Sequence, residues 1–283
     1  MRILRTRASR RRMRHLLTYA GLLVASVYAL FPLAWALATA LKPSGEILSD
    51  TPTFFTAHPT LAHFREVLFE TAFPTYFVNS VIVSLATVVV SLAVGIFAAY
   101  AISRLDRTPG IRAIGVAMLV GQMVPVVLLI MPLYQFMQAT GLLNTYIALI
   151  MTYTVFAIPI ITWMMKGFFD TVPIEIEEAA RLDGCSRLYI VLRIILPLST
   201  PAIMAAAIYA LILAWSEFVL AFTLISDDSM RTLSTGVFSF MGLWTVNWGS
   251  LMSAAVLIVL PVAVVFGFTQ KYLVSGLTAG SGR

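Results

Sequence analysis

The sequence predicts an all-α integral membrane protein of six transmembrane helices with both termini in the cytoplasm. Three observations carry this. First, 60% of the 283 residues are hydrophobic and 11% are charged, against about 25% charged in ordinary soluble domains. With a mean hydropathy of +0.92, a soluble fold of this length has no interior large enough for the apolar surface. Second, six apolar runs, 16–41, 75–102, 112–138, 146–165, 201–225 and 249–270, reach about the 20 residues a spanning helix needs. They are continuous rather than alternating, which excludes a β-barrel. Third, if the N-terminus is inside and the runs alternate, sixteen of the nineteen basic residues fall on the inner side, and only Lys42, Arg65 and Arg231 fall outside. Such an excess of inner Lys and Arg orients membrane helices. It also accounts for the net charge of +6 through topology and anionic lipid heads, without nucleic acid.

The elements follow in order. A basic head, 1–15, carries seven arginines from Arg2 to Arg14. The first run, Leu16 to Leu41, ends near a cleavage-like Ala36-Leu37-Ala38. It has 26 residues, well beyond the roughly 7–15 of a signal peptide's apolar region, so it reads as an uncleaved span. An outer loop, 42–74, holds Pro43, Pro52, Pro59 and Pro74 and a polar helix-like stretch from Leu61 to Glu70. Spans three and four meet at a short turn around Gly141 and Asn144, and the last outer loop, 226–247, carries Asp227 and Asp228. The six-span domain covers 16–271, includes an inner loop at 166–200, and is followed by a tail, 272–283.

Five prolines, Pro32, Pro125, Pro132, Pro159 and Pro261, fall inside apolar runs. Each removes a backbone donor and tends to kink its helix; the bends serve packing or line a translocation path. Glu217, within Trp215-Ser216-Glu217-Phe218, is the one carboxylate inside a run. Its insertion costs about 2.5–3.5 kcal/mol, so it should face protein or water. It reads either as a polar group on a solute path or subunit seam, or as a structural residue bonded to Trp, Ser or backbone. One carboxylate is a poor basis for a proton relay, which needs a chain of ionisable groups. The single Cys185 and the scattered His15, His58 and His63 give no metal-ligand spacing. No cluster of catalytic residue types is apparent, so the chain is expected not to be an enzyme.

The inner loop is the most informative segment. Pro173 suits the first turn of a helix, and Glu175, Glu177 and Glu178 follow near the positive end of its dipole. Glu177 precedes Arg181 by four, the favourable order for a helical pair, and Gly184 can end the helix in a left-handed conformation. A helix of about 11 residues and 16 Å is expected. Ile176, Ala179 and Ala180 share one face with little bulk, suited either to rest on the membrane domain or to receive another protein. A second short helix should follow and end at Pro197 and Pro201.

Glu178-Ala179-Ala180, then Gly184 after three residues, then Ile194-Ile195-Leu196-Pro197 after nine, resembles the EAA motif of ABC importer permeases; Asp183-Gly184 matches its usual Asp-Gly. Asn79-Ser80 resembles the family's Asn-Ser pair, and Trp215-Ser216-Glu217-Phe218 its Trp-Asn/Ser-Glu-Phe. The stretch from Gln270 to Gly280 resembles carbohydrate importers of the maltose-importer second-permease type. The chain departs in ending Ser281-Gly282-Arg283 and in carrying Cys185 where Ala is usual.

The resemblance implies the type I ABC importer permease fold in the cell membrane. It implies that Glu178, Ala179, Ala180, Arg181, Asp183, Gly184, Leu196 and Pro197 couple to an ATPase; Asn79, Trp215, Ser216 and Glu217 are the candidates for the path or subunit seam. The implied partners are a second permease, an ATPase dimer and an extracytoplasmic solute-binding protein. ATP and Mg would bind the ATPase, since no Gly-x-x-x-x-Gly-Lys-Ser/Thr exists here, and this chain would hold no cofactor. The alternative is an ion-coupled secondary transporter using Glu217, which should show further intramembrane charges or a repeat.

Overall fold

The computed structural model describes residues 2–49, 51, 53–105, 108–242 and 245–279, without the side chains of 2–12, 109 and 271–279. The side chains of the head arginines up to Arg12, and Arg107, Trp244, Lys271 and Arg283, lie outside the described set. Helices dominate, and among the described residues the only β pairing is an isolated antiparallel bridge between Met241 and Val246.

Residues 1–71 with 239–259 make one unit and 72–238 with 260–283 the other. The first unit begins with α1, Arg2–Ala40, so the backbone of the basic head continues into the first span. Helix α2 (Ser44–Ile47) and α3 (Ala62–Phe69) follow, the latter on the stretch predicted from sequence. In this unit the buried His63 ring lies against Gly249, where a Cβ would fall 2.4 Å from the ring; its Nε2 is 3.1 Å from the Lys42 carbonyl.

The second unit opens with α4 (Phe73–Leu105), then α5 (Pro109–Gln122), α6 (Val126–Ala139) and α7 (Tyr146–Phe169). Next come α8 (Ile174–Leu182), α9 (Arg187–Ile190), a π-helical turn at Val191–Ile195 and α10 (Leu196–Leu198). Helices α11 (Thr200–Ser216), α12 (Val219–Leu224) and α13 (Leu233–Gly236) complete the central part. Helix α14, Trp248–Ala279, belongs to both units and extends nine residues past the expected sixth span, into the predicted tail.

Helices α4 and α7 form the centre of the second unit. Their contact permits close approach because Gly95 faces Ile161: a Cβ on Gly95 would lie 2.6 Å from Ile161 Cγ2. Ile96, Ala99, Ala157, Ile161, Met165, Ala206 and Ala210 build one buried cluster across α4, α7 and α11. Much of the remaining apolar surface is exposed, as bilayer contact requires; Met13–Ala40 buries 6% of its most apolar window.

Among the described residues, four helices are long and apolar enough to cross a membrane: Met13–Ala40, Phe73–Leu105, Tyr146–Phe169 and Trp248–Gln270. The third and fifth predicted runs are not straight helices. The third bends by 102° between Gly110–Gln122 and Val126–Ala139, because Pro125 cannot donate into the helix and sits extended at ψ 130°. The fifth starts after an 82° bend between Arg187–Leu198 and Thr200–Ser216, and its helix stops before Glu217 rather than reaching 225. Counting each bent pair as one gives up to six spans. Pro32, Pro132, Pro159 and Pro261 lie inside unbroken helices.

Candidate functional site

Helix α8 starts after Pro173, which occupies the N-cap rather than the first turn, and it runs nine residues instead of eleven. Its end is a Schellman closure: the Gly184 N–H donates to the Arg181 carbonyl and the Cys185 N–H to that of Ala180, both at 3.0 Å. Gly184 has φ +83°, the left-handed value anticipated for it. Cys185 packs against the apolar cluster that includes Ala180.

The predicted coupling residues divide between two faces. Glu178, Ala179, Arg181, Asp183, Gly184 and Pro197 are exposed, as are Ile176 and Leu182. Ala180 is buried and Leu196 half-buried, both against the chain's own core. The face of Ile176, Ala179 and Ala180 is therefore not wholly free; Ala180 turns inward beside Glu177.

Glu177 is the anchor of α8. Its side chain is 0% exposed, yet the sequence offered it only Arg181, which sits at 3.8 Å. The closer partners come from α4: Arg104 Nε donates to Oε1 and the Tyr100 hydroxyl to Oε2, each at 2.6 Å. The same guanidinium donates through Nη1 to the Phe169 carbonyl at 3.0 Å and the Ser103 hydroxyl at 3.2 Å, and through Nη2 to the Val172 carbonyl at 3.3 Å. Ser103 in turn donates to Asp170 at 2.6 Å, which also receives Lys166 Nζ at 2.7 Å. One arginine thus ties the end of α4, the end of α7, the linker and α8. Deleting one member of a buried pair commonly costs about 3–5 kcal/mol, because the other charge is left uncompensated. No local pattern reveals this pair, whose members stand 73 positions apart.

The other predicted residues gather around the segment that follows α12. Asn79 Nδ2 donates to the carbonyls of Ser229 (2.9 Å) and Arg231 (2.7 Å), while its Oδ1 accepts from the Tyr146 hydroxyl at 2.6 Å. Ser80 Oγ accepts from the Leu233 N–H at 2.8 Å. Tyr76 donates to Asp228 at 2.9 Å, and Arg231 pairs with Asp228 at 3.0 Å. Gly236 packs closely against the Tyr76 ring, where a Cβ would fall 2.1 Å from Cδ2. Asn144, at φ +57°, accepts from the Ser226 N–H and hydroxyl and from the Asp227 N–H. The Ser229 hydroxyl and N–H hold the exposed Asp227 carboxyl below the ordinary carboxylate range.

Glu217 occupies the break between α11 and α12. Its carboxylate accepts from the N–H groups of Leu220 and Ala221 at 3.0–3.1 Å, so it caps α12. Its own carbonyl accepts from the Ser234 hydroxyl at 2.6 Å. Its reading as a residue bonded to backbone accords with this arrangement. Trp215 is buried, with its ring edge-on to Phe77 at 5.9 Å. The Ser216 hydroxyl, which is exposed, donates back to the Ile212 carbonyl at 2.7 Å. Phe218, the last residue of the same motif, stacks with both Phe222 and Phe238 at 5.4 and 4.9 Å.

Several apolar helices, a surface helix anchored to them and a proline-broken run together define a helical membrane protein. Residues 91–279 match the model of the binding-protein-dependent transport system inner membrane component. The chain belongs to that family and is a multi-pass membrane protein. It is 35% identical to the sulfoquinovosyl glycerol transport system permease protein SmoH of Agrobacterium fabrum, over 90% of this chain and 89% of that one. It is 34% identical to the diacetylchitobiose uptake system permease protein DasC of Streptomyces coelicolor, over 89% and 91%. Its fold matches a chain of a bacterial ABC transporter involved in import of the acidic polysaccharide alginate, with a TM-score of 0.79 and 21% identity, covering 93% of this chain and 97% of that one. The ion-coupled alternative finds no support in these relationships.

Proposed function

We propose that this chain is a permease subunit of a binding-protein-dependent importer for a sugar or oligosaccharide, forms half of its translocation path, and couples to a separate ATPase through α8. The observation that carries the coupling is the two-sided character of α8. One side is fastened to the chain by Glu177 and Ala180, and the other offers Glu178, Ala179, Arg181 and Leu182 to a partner. A glycoside cargo is supported by relatives named for sulfoquinovosyl glycerol and diacetylchitobiose. Six spans, with each bent pair counted once, and cytoplasmic termini are supported by the distribution of basic residues.

In this reading the partners are a second permease, a pair of ATPases and an external solute-binding protein. The ATPases bind ATP and Mg, and this chain holds no cofactor and performs no bond chemistry. ATP closes the ATPase pair, α8 moves with it, and the bundle shifts from inward- to outward-facing; hydrolysis resets the balance. Asn79, Trp215, Ser216 and Glu217 belong to the translocation path or to the seam with the second permease. The test is to purify the tagged chain from its host and assay the preparation for hydrolysis. A co-purifying ATPase and second permease, with hydrolysis stimulated by a glycoside and the binding protein, is the expected result. A homo-oligomer without an ATPase would overturn the proposal.

A further inference from the structure

We infer that Arg104 and Glu177 form a transmission clamp, which makes α8 and the adjoining ends of α4 and α7 move as one body during transport. The inference rests on the reading of α8 as the ATPase-facing helix and assigns the positioning residues through which its motion enters the bundle.

The geometry separates this pair from an ordinary surface bridge. Glu177 has no exposed side-chain surface and Arg104 retains 12%. Both carboxylate oxygens are engaged within 2.6 Å, one by Arg104 and one by Tyr100. The two remaining guanidinium nitrogens reach carbonyls at the end of α7 and in the linker to α8. A planar guanidinium with five donors can satisfy several acceptors in one fixed arrangement, which a lysine cannot reproduce. By contrast, the exposed Glu178 makes no described side-chain contact, and Arg181 is 46% exposed. Force applied to the exposed face of α8 therefore reaches α4 and α7 through a buried, multiply bonded joint. A bare helix on a flexible loop would slide instead.

The experiment uses the whole importer, with all its subunits, reconstituted in lipid. ATP hydrolysed per solute imported is measured for wild type, Glu177→Gln, Arg104→Lys and Arg104→Gln/Glu177→Gln. The variants are expected to assemble and hydrolyse ATP, with ATP consumed per solute raised about two- to thirtyfold, the range typical for residues along a coupling network, and with KM for ATP unchanged. In parallel, spin labels at Glu175→Cys and Leu105→Cys, in a Cys185→Ala background, report the distance from α8 to the end of α4. In the wild type it should stay constant, within the ~1–2 Å of a packed-interface adjustment, between the nucleotide-free and ATP-trapped states. In Glu177→Gln it should broaden or shift. A larger change in the wild type overturns the clamp, as does an unaltered ATP-to-solute ratio in assembled variants. If Glu177→Gln fails to assemble, the wild-type distance decides. If the wild-type importer itself hydrolyses ATP without importing solute, or contains no ATPase, the reading of α8 fails first and the clamp falls with it.

Discussion

Replacing Asn79 with Ala should release the 226–236 segment from α4. Asn79 is 2% exposed and serves three groups at once: the carbonyls of Ser229 and Arg231 and the hydroxyl of Tyr146. Losing a partner costs about 1–3 kcal/mol for each buried polar group. The two carbonyls can regain water once the loop lifts, so the lower end applies, and three losses total about 3 kcal/mol of local stability. At 1.4 kcal/mol per tenfold, local opening becomes favoured by roughly a hundredfold. Hydrogen exchange of a peptide covering 226–236, in lipid nanodiscs, reads this directly, since the Leu233 N–H is normally held by Ser80. Asn79→Asp should exchange at least as fast, because it turns a carboxylate toward two carbonyls. Tyr146→Phe removes one donor and should accelerate exchange by no more than about tenfold. Less than a tenfold rise in Asn79→Ala would refute the view that this side chain holds the segment.

Gly95→Ala should loosen the α4–α7 contact by about 1–3 kcal/mol, seen as a lower melting temperature of the purified complex; Ile161→Ala in the same chain should restore part of it, since the clash is with Ile161. Gly184→Val places a β-branched residue at φ +83° and should cost at least the ~1–2 kcal/mol of a left-handed L-residue, whereas Gly184→Asn should cost less; thermal unfolding of the two variants orders them. Glu178→Lys should leave membrane insertion intact while separating ATP hydrolysis from uptake, measured as the ratio of the two rates. Removing 272–283 should change ATPase regulation in the purified complex more than the amount of chain inserted.

The apolar runs located the helices because bilayer helices bury or expose whole stretches, and Gly184 marked its cap because only a left-handed backbone closes that turn. Helix α3 was visible for a similar local reason. The bends were harder. Hydropathy counts apolar residues and carries no direction, so the run 112–138 looked like one span although Pro125 turns it by 102°. Of five intraspan prolines only that one coincides with a break, because the other four lie in helices that continue through them. Glu217 was recognised as unusual, but its role as cap of α12 depends on where the helix stops, which its apolar neighbours conceal. Arg104 and Tyr100 reach Glu177 across more than 70 positions, and helical spacing reports only the nearer Arg181. The Asn79 network was equally hidden, since two of its three partners are backbone carbonyls 150 or more positions away.

The most direct test of the account is photo-crosslinking from α8 in the assembled importer. A photoreactive residue is placed at Ala179, with Val155 on α7 as the control, since it is 63% exposed on a spanning helix. The account predicts that Ala179 forms an adduct with the ATPase, that its yield changes when ATP is trapped, and that Val155 gives no such adduct. Adducts from Ala179 confined to lipid or to this chain would contradict it.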